Sequence, residues 1–79
     1  MDLKETVGLM TSTDYKDRFK AEYYQLRTRA LKLKGFLDNW DKLDFTPNCP
    51  KELLEEQYCS MAKYKEILLS RARIEGIQL

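Results

Sequence analysis

Six aromatic side chains fall among the cations of this chain, and the pairing of the two suggests chemistry. Tyr15, Phe19, Tyr23 and Tyr24 lie in residues 14–34 with Lys16, Arg18, Lys20, Arg27, Arg29, Lys32 and Lys34. Tyr58 and Tyr64 lie in residues 58–73 with Lys63, Lys65, Arg71 and Arg73. Tyr rings stack on flat bases, and Arg and Lys neutralise phosphates. The combination suits a small phosphorylated ligand with a flat ring, such as a nucleotide. Each residue also has a plainer reading. Phe19 and Tyr23 fit a helix seam and read as core, and the lysines read as a solvated face. Arg27 and Arg29 point about 200° apart on a helix, at about 100° per residue, so one pocket of one chain cannot take both. An oligomer could bring them together.

Other chemistries find little support. The chain has no His, no Gly-rich phosphate loop and no Ser, His and Asp set, so it reads as a binding protein and not an enzyme. Cys49 and Cys59 match no zinc spacing and lack a His to complete a site, so they read as two free thiols of a reducing cytoplasm, with no metal and no cofactor. Residues 1–10 lack the continuous apolar run of a secretory signal, and no stretch approaches the roughly 20 apolar residues of a membrane span. Direct reading of DNA by a helix is also disfavoured, because the basic residues are spread around the helix among acids.

The elements that must position these residues follow from spacing. Phe19, Tyr23, Leu26, Ala30, Leu33, Leu37 and Trp40 are separated by 4, 3, 4, 3, 4 and 3 residues, the pattern of a helix packed along another helix. Thr11-Ser12-Thr13-Asp14 supplies N-cap residues, with Asp14 and Asp17 near the positive end of the dipole. A helix over 14–40 follows, roughly 40 Å long at about 1.5 Å per residue. Residues 41–49 form a turn, in which Leu43 and Phe45 plug the end of the pair. A second helix covers 50–75, with Pro50 at its first position and Gly76 ending it in a left-handed conformation. Leu54, Met61, Leu68 and Glu75 repeat every seven residues along it. Ile77 and Leu79 remain as an apolar tail, residues 76–79, with no internal partner. Residues 1–13 read as an arm and cap. Met10 offers an alternative start that would make the first nine residues dispensable.

The expected fold is therefore all-α: one domain of 79 residues, an antiparallel two-helix hairpin with a short N-terminal arm. So short a chain rarely buries a sufficient core alone. Tyr24, Leu31 and Phe36 on the first helix, with Ile67 and Ile74 on the second, broaden the apolar surface beyond one seam. They mark an oligomer interface of a homodimer or a larger ring.

Charge is distributed unevenly, although the formal net charge is only +1. Residues 14–34 hold seven cations and three anions, net +4. Residues 35–57 hold two cations and six anions, net −4. Residues 58–73 hold four cations and one anion, net +3. Antiparallel helices would make the open end basic and the turn end acidic.

Two blocks carry a resemblance. Tyr15-Lys-Asp-Arg-Phe-Lys-Ala-Glu-Tyr-Tyr-Gln-Leu-Arg-Thr-Arg-Ala-Leu-Lys-Leu33 and the stretch from Pro50 to Arg71, with its Leu53-Leu54, Gln57, Met61, Tyr64, Ile67-Leu68 and Arg71 skeleton, resemble small helical proteins of tailed phages and prophages, including crAss-like phages. More loosely, the plan is similar to phage anti-CBASS sponges, oligomers that sequester cyclic oligonucleotide signals of bacterial immunity between protomers. That similarity implies a cyclic di- or trinucleotide ligand, with Tyr15 stacked on a base and Arg18, Arg29 or Lys32 at phosphates. With Tyr64 and Arg71 these form the candidate ligand-binding set. The chain lacks the Gly-Arg-Glu that follows Pro in the sponge turn and has Pro47-Asn-Cys-Pro50-Lys-Glu52 there. The other readings are a protein-binding inhibitor of a host defence complex, anti-CRISPR-like, whose acidic turn end mimics nucleic acid, and a purely structural oligomeric hairpin.

Overall fold

A computed structural model describes residues 2–79. Among the described residues all regular structure is helical, in three α-helices and two short 3₁₀ turns. They are α1 (Val7–Met10), α2 (Tyr15–Asp38) and α3 (Lys51–Glu75), with 3₁₀ turns at Leu3–Thr6 and Trp40–Lys42.

Helix α2 starts where a side chain meets its free N–H groups. Asp14 is the N-cap, and its carboxylate accepts from the Lys16 amide at 2.9 Å. Ser12 braces the cap, since its hydroxyl accepts from the Asp14 amide at 3.0 Å and donates to Asp17 at 2.9 Å. The helix ends at Asp38, two residues before the expected limit at Trp40. Both the backbone amide and the side-chain amide of Asn39 donate to the Gly35 carbonyl, at 3.2 and 2.8 Å. The first is the last helical bond, and the second gives that carbonyl an extra donor where α2 passes into the 3₁₀ turn at Trp40.

Helix α3 begins at Lys51, so Pro50 is its cap and not its first helical residue. Pro50 keeps an extended backbone, φ −60° and ψ 142°, while its carbonyl accepts from Leu53 and Leu54. At the other end Gly76 is left-handed, φ 69°, as expected. The Ile77 amide then reaches back to the Ala72 carbonyl at 2.8 Å, the closing bond of a Schellman turn.

That turn corrects the expectation of an unpartnered tail. It carries the chain back over its own helix, and Ile77 is buried with Phe19, Leu26, Leu68 and Ala72 in the core. Leu79 packs beside them. Leu68 is fully enclosed, and burying such a side chain contributes about 1.5–3 kcal/mol.

Helices α2 and α3 run side by side and antiparallel. Tyr15 and Glu22 of α2 bond to Glu75 and Tyr64 of α3 at one end. At the other end Lys34 and Asp38 share a groove with Lys51 and Tyr58. The expected seam is tight in its first half, where Phe19, Leu26 and Ala30 are buried, and looser beyond, where Leu33, Leu37 and Trp40 are half-buried.

The arm takes part in this packing. Leu3–Thr6 and α1 lie against α2, and Thr6 is completely buried. Its hydroxyl donates to the Leu3 carbonyl at 2.6 Å and accepts from Gln25 Nε2 at 3.1 Å. The arm thus adds a third helix to the expected pair, and Met1 lies outside the described residues.

The expected oligomer face divides. Phe36 is half-buried by its own chain, edge-on to Trp40 with centroids 5.6 Å apart and tilted against Phe45 at 6.4 Å. Tyr24 is half-buried against the edge of Tyr23. Leu31, Ile67 and Ile74 are exposed. Both cysteines are free thiols. No helix among the described residues is long and apolar enough to cross a membrane.

Candidate functional site

The open end of the helix pair joins the first turn of α2 to the last two turns of α3. Tyr15 is the first residue of α2, directly after the Asp14 cap, so the cap fixes where its ring emerges. The Tyr15 hydroxyl donates to Glu75 Oε2 at 2.9 Å and accepts from Arg71 Nη2 at 3.0 Å. The Arg71 guanidinium lies over the Phe19 ring, 5.0 Å from its centroid. Phe19 is one turn after Tyr15, with ring centroids 6.3 Å apart. Arg71 and Glu75 are likewise one turn apart on α3. The antiparallel register therefore sets Tyr15 opposite Glu75 and Phe19 opposite Arg71.

This cluster is half open. Phe19 is buried, whereas Tyr15 is 46% exposed and Arg71 and Glu75 are exposed. Across the 5.0 Å to its centroid, the Phe19 ring attracts the guanidinium and steadies it. The guanidinium presents five N–H donors in a plane, of which Tyr15 takes one. An aromatic face beside a fixed fork of donors suits a ring joined to a phosphate. Glu75 opposes that chemistry. It is a carboxylate at an end whose net charge is positive, and it competes with an incoming anion for the Tyr15 hydroxyl.

The remaining candidate residues do not converge there. Tyr64 lies two turns before Arg71 and its hydroxyl donates to Glu22. Arg18 is turned toward the start of α2, where Nη1 donates to the Ser12 carbonyl at 3.0 Å. Arg29 and Lys32 are exposed and lie roughly 21 and 25 Å along the helix axis from Tyr15, at about 1.5 Å per residue. Lys32 follows Gln25 by two turns and so lies on the flank that the arm covers. One protomer therefore assembles Tyr15 and Arg71, places Arg18 and Tyr64 nearby, and leaves Arg29 and Lys32 apart.

In the sequence Glu75 reads as part of the seven-residue repeat, and Phe19, one of the aromatics among the cations, reads as a core residue of the seam. Phe19 does both jobs, with one face in the core and the other under Arg71. The signal for both was the antiparallel register, which pairs residues 15 with 75 and 19 with 71.

A second concavity lies at the turn end, between Lys34 and Asp38 of α2 and Lys51, Glu55 and Tyr58 of α3. Lys34 Nζ is 3.1 Å from Asp38 Oδ2. The hydrogen bond and charge of Asp38 hold the Lys34 ammonium above its ordinary pKa. In that groove the cations Lys34 and Lys51 are matched by the carboxylates Asp38 and Glu55, and no aromatic ring lies under a guanidinium as Phe19 does under Arg71. Among the described residues no cluster of His, Cys, Asp and Glu is arranged to hold a metal ion.

A family model described as Sequestin matches residues 13–74, which is most of the chain and all of the helix pair apart from the last residue of α3. The chain belongs to the Sequestin family. The family's name suggests a sequestering protein. The matched span includes Tyr15, Phe19 and Arg71. Comparison of the chain with curated proteins and with solved structures finds no match.

Proposed function

We propose that this Sequestin-family chain is a non-catalytic sponge that binds a cyclic di- or trinucleotide and withholds it from its receptor. In this reading the chain is phage-encoded and acts in the bacterial cytoplasm as a counter-defence protein. The observation that carries it is the contact of Tyr15 with Arg71 at the exposed end of the helix pair. Tyr15 supplies the face for a base, and Arg71, held over Phe19, supplies the donors for a phosphate. Arg18 and Tyr64 flank the same end. The family's name is in keeping with sequestration. The residue types are those that hold a ligand: an aromatic face for a base and guanidinium donors for a phosphate.

Native mass spectrometry with and without a panel of cyclic di- and trinucleotides tests this. The expected result is a gain of a whole number of ligands with no change in ligand mass. Tyr15→Ala should weaken binding at least about tenfold, because a base stacked on an aromatic side chain contributes about 1–3 kcal/mol. Tyr15→Phe, which keeps the ring, should retain most of the affinity. No bound nucleotide at any concentration would remove this reading and turn attention to a host defence protein as the partner.

A further inference from the structure

One side of α3 is covered by nothing among the described residues. Leu53, Ile67 and Ile74 are 54%, 50% and 84% exposed. With Ser60 they recur every seven residues, so they form one stripe along the helix. It lies roughly 100° around α3 from the core residues Met61, Leu68 and Ala72. At the start of the stripe is a groove lined by Cys49, Leu53, Leu54, Glu56, Gln57 and Ser60. At its end Ile74 stands out into solvent. A projecting side chain and a groove thus share one face of one helix.

Three observations specify what covers this face. First, it is self-complementary. A two-fold axis crossing α3 between Lys63 and Tyr64 sets Ile74 opposite Leu53 of a second copy. The same axis sets Ser60 opposite Ile67 of that copy, because both pairs share that midpoint. Second, the charges agree with an antiparallel pairing. Residues 51–57 carry three Glu and one Lys, whereas residues 63–75 carry four cations and two anions. Antiparallel copies set the acidic half of each α3 against the basic half of the other. Parallel copies would set like against like. Third, the chain is under-buried for its size. Its accessible surface is 5846 Å² and its radius of gyration 15.0 Å. A compact chain of this mass exposes about 5,000 Å² with a radius near ~12 Å. The excess of roughly 800 Å² equals one partner's share of a standard interface.

We propose that α3 pairs antiparallel with α3 of a second copy across this two-fold, with Ile74 of each copy seated in the groove that runs from Cys49 to Ser60 of the other. The pairing is isologous, so it closes as a dimer and leaves no edge for further growth. It also sets the open end of each copy beside the turn end of the other. The two Tyr15–Arg71 clusters then lie at opposite ends of the dimer. If they bind nucleotide as proposed above, the dimer takes two ligands, each at its own end.

Sedimentation equilibrium of the full chain without ligand tests the pairing, independently of the nucleotide reading. The wild type should sediment at twice its 9.4 kDa mass. Ile74→Glu should raise the dimer dissociation constant about thirtyfold or more, the effect of losing a buried anchor. Ile74 is exposed within its own chain, so far-UV circular dichroism should stay unchanged. Orientation is read by cross-linking in a Cys49→Ser, Cys59→Ser background. Leu53→Cys and Ile74→Cys proteins should form a disulfide when mixed and oxidised, and neither should cross-link by itself. A wild-type monomer at all concentrations, an Ile74→Glu assembly as tight as the wild type, or self-cross-linking of either single-cysteine protein would overturn the proposal.

Discussion

The Tyr15 hydroxyl donates to Glu75 across 2.9 Å, joining the first residue of α2 to the last residue of α3. Sixty residues separate the two in the chain, so this bond and the Arg71 bond beside it fasten the open end. Both are exposed, and such bonds contribute about 0.5–1.5 kcal/mol. Tyr15→Phe should therefore lower stability by about 0.5–1 kcal/mol, with nucleotide affinity largely kept. Chemical denaturation monitored by circular dichroism checks the first, and calorimetric titration the second. A stability loss well above that range would mean that the ring packs more deeply than its 46% exposure indicates.

Glu75 sets a second expectation. Its carboxylate occupies the hydroxyl that borders Arg71, so it competes with any anionic ligand for the same groups. Glu75→Gln removes the charge and keeps a hydrogen-bond acceptor for Tyr15. An exposed charge interaction is worth about 0.2–1 kcal/mol, so affinity for a cyclic dinucleotide should rise about 1.4- to fivefold. The gain should shrink as salt is added, since exposed charges are screened. Titration at two ionic strengths measures both. Weaker binding by Glu75→Gln would place Glu75 on the ligand's side, as a hydrogen-bond acceptor for a base.

Spacing alone gave the seam, because Phe19, Leu26 and Ala30 need only the helical period to fall on one face. It also gave the end of α3, because a glycine after a long periodic run has one common use. It could not give the stop at Asp38, where the Asn39 side-chain amide bonds the Gly35 carbonyl, a local polar contact without a hydropathy signature. Nor could it place the arm, since Thr6 and Gln25 are both polar and lie nineteen residues apart. Tyr15 and Arg71 stand out in the sequence as an aromatic and a cation, but their contact depends on the antiparallel register. Glu75 and the second face of Phe19 become visible only once that register is known. Arg29 and Lys32 met the same chemical criterion and are separated from the cluster by helix length.

The C-terminal turn gives a third prediction. Gly76 is the only described residue with positive φ, and a Cβ added there would meet nothing within 4 Å. The penalty for Gly76→Ala is therefore conformational, about 1–2 kcal/mol for an L residue held left-handed. Ile77→Ala removes the buried side chain that this turn delivers to the core, and should cost about 2–4 kcal/mol. In a chain of this size 1 kcal/mol moves Tm by about 4–8 °C. Thermal melts should thus order the variants wild type, Gly76→Ala, Ile77→Ala. Equal melting for all three would mean that the tail is not seated on Phe19 and Leu68 in solution.

The arm supplies the last prediction. Thr6 is fully buried, and its one hydroxyl serves two partners, the Leu3 carbonyl as donor and the Gln25 side chain as acceptor. Thr6→Val keeps the shape and removes the hydroxyl, leaving two polar groups without their partner beneath the arm. A buried group left unsatisfied costs about 1–3 kcal/mol, so the arm should detach before the helix pair unfolds. Hydrogen exchange distinguishes the two events. Amides of residues 3–10 should exchange faster in Thr6→Val, while those of Leu26 and Leu68 keep their protection. Gln25→Ala removes the bond to Thr6 together with the Gln25 Nε2 contact to Met10 Sδ at 2.9 Å, and should likewise speed exchange in the arm. If the substitution lowers protection equally at Leu68, the arm and the helix pair unfold as one cooperative unit, and Thr6 then belongs to the same core as Phe19.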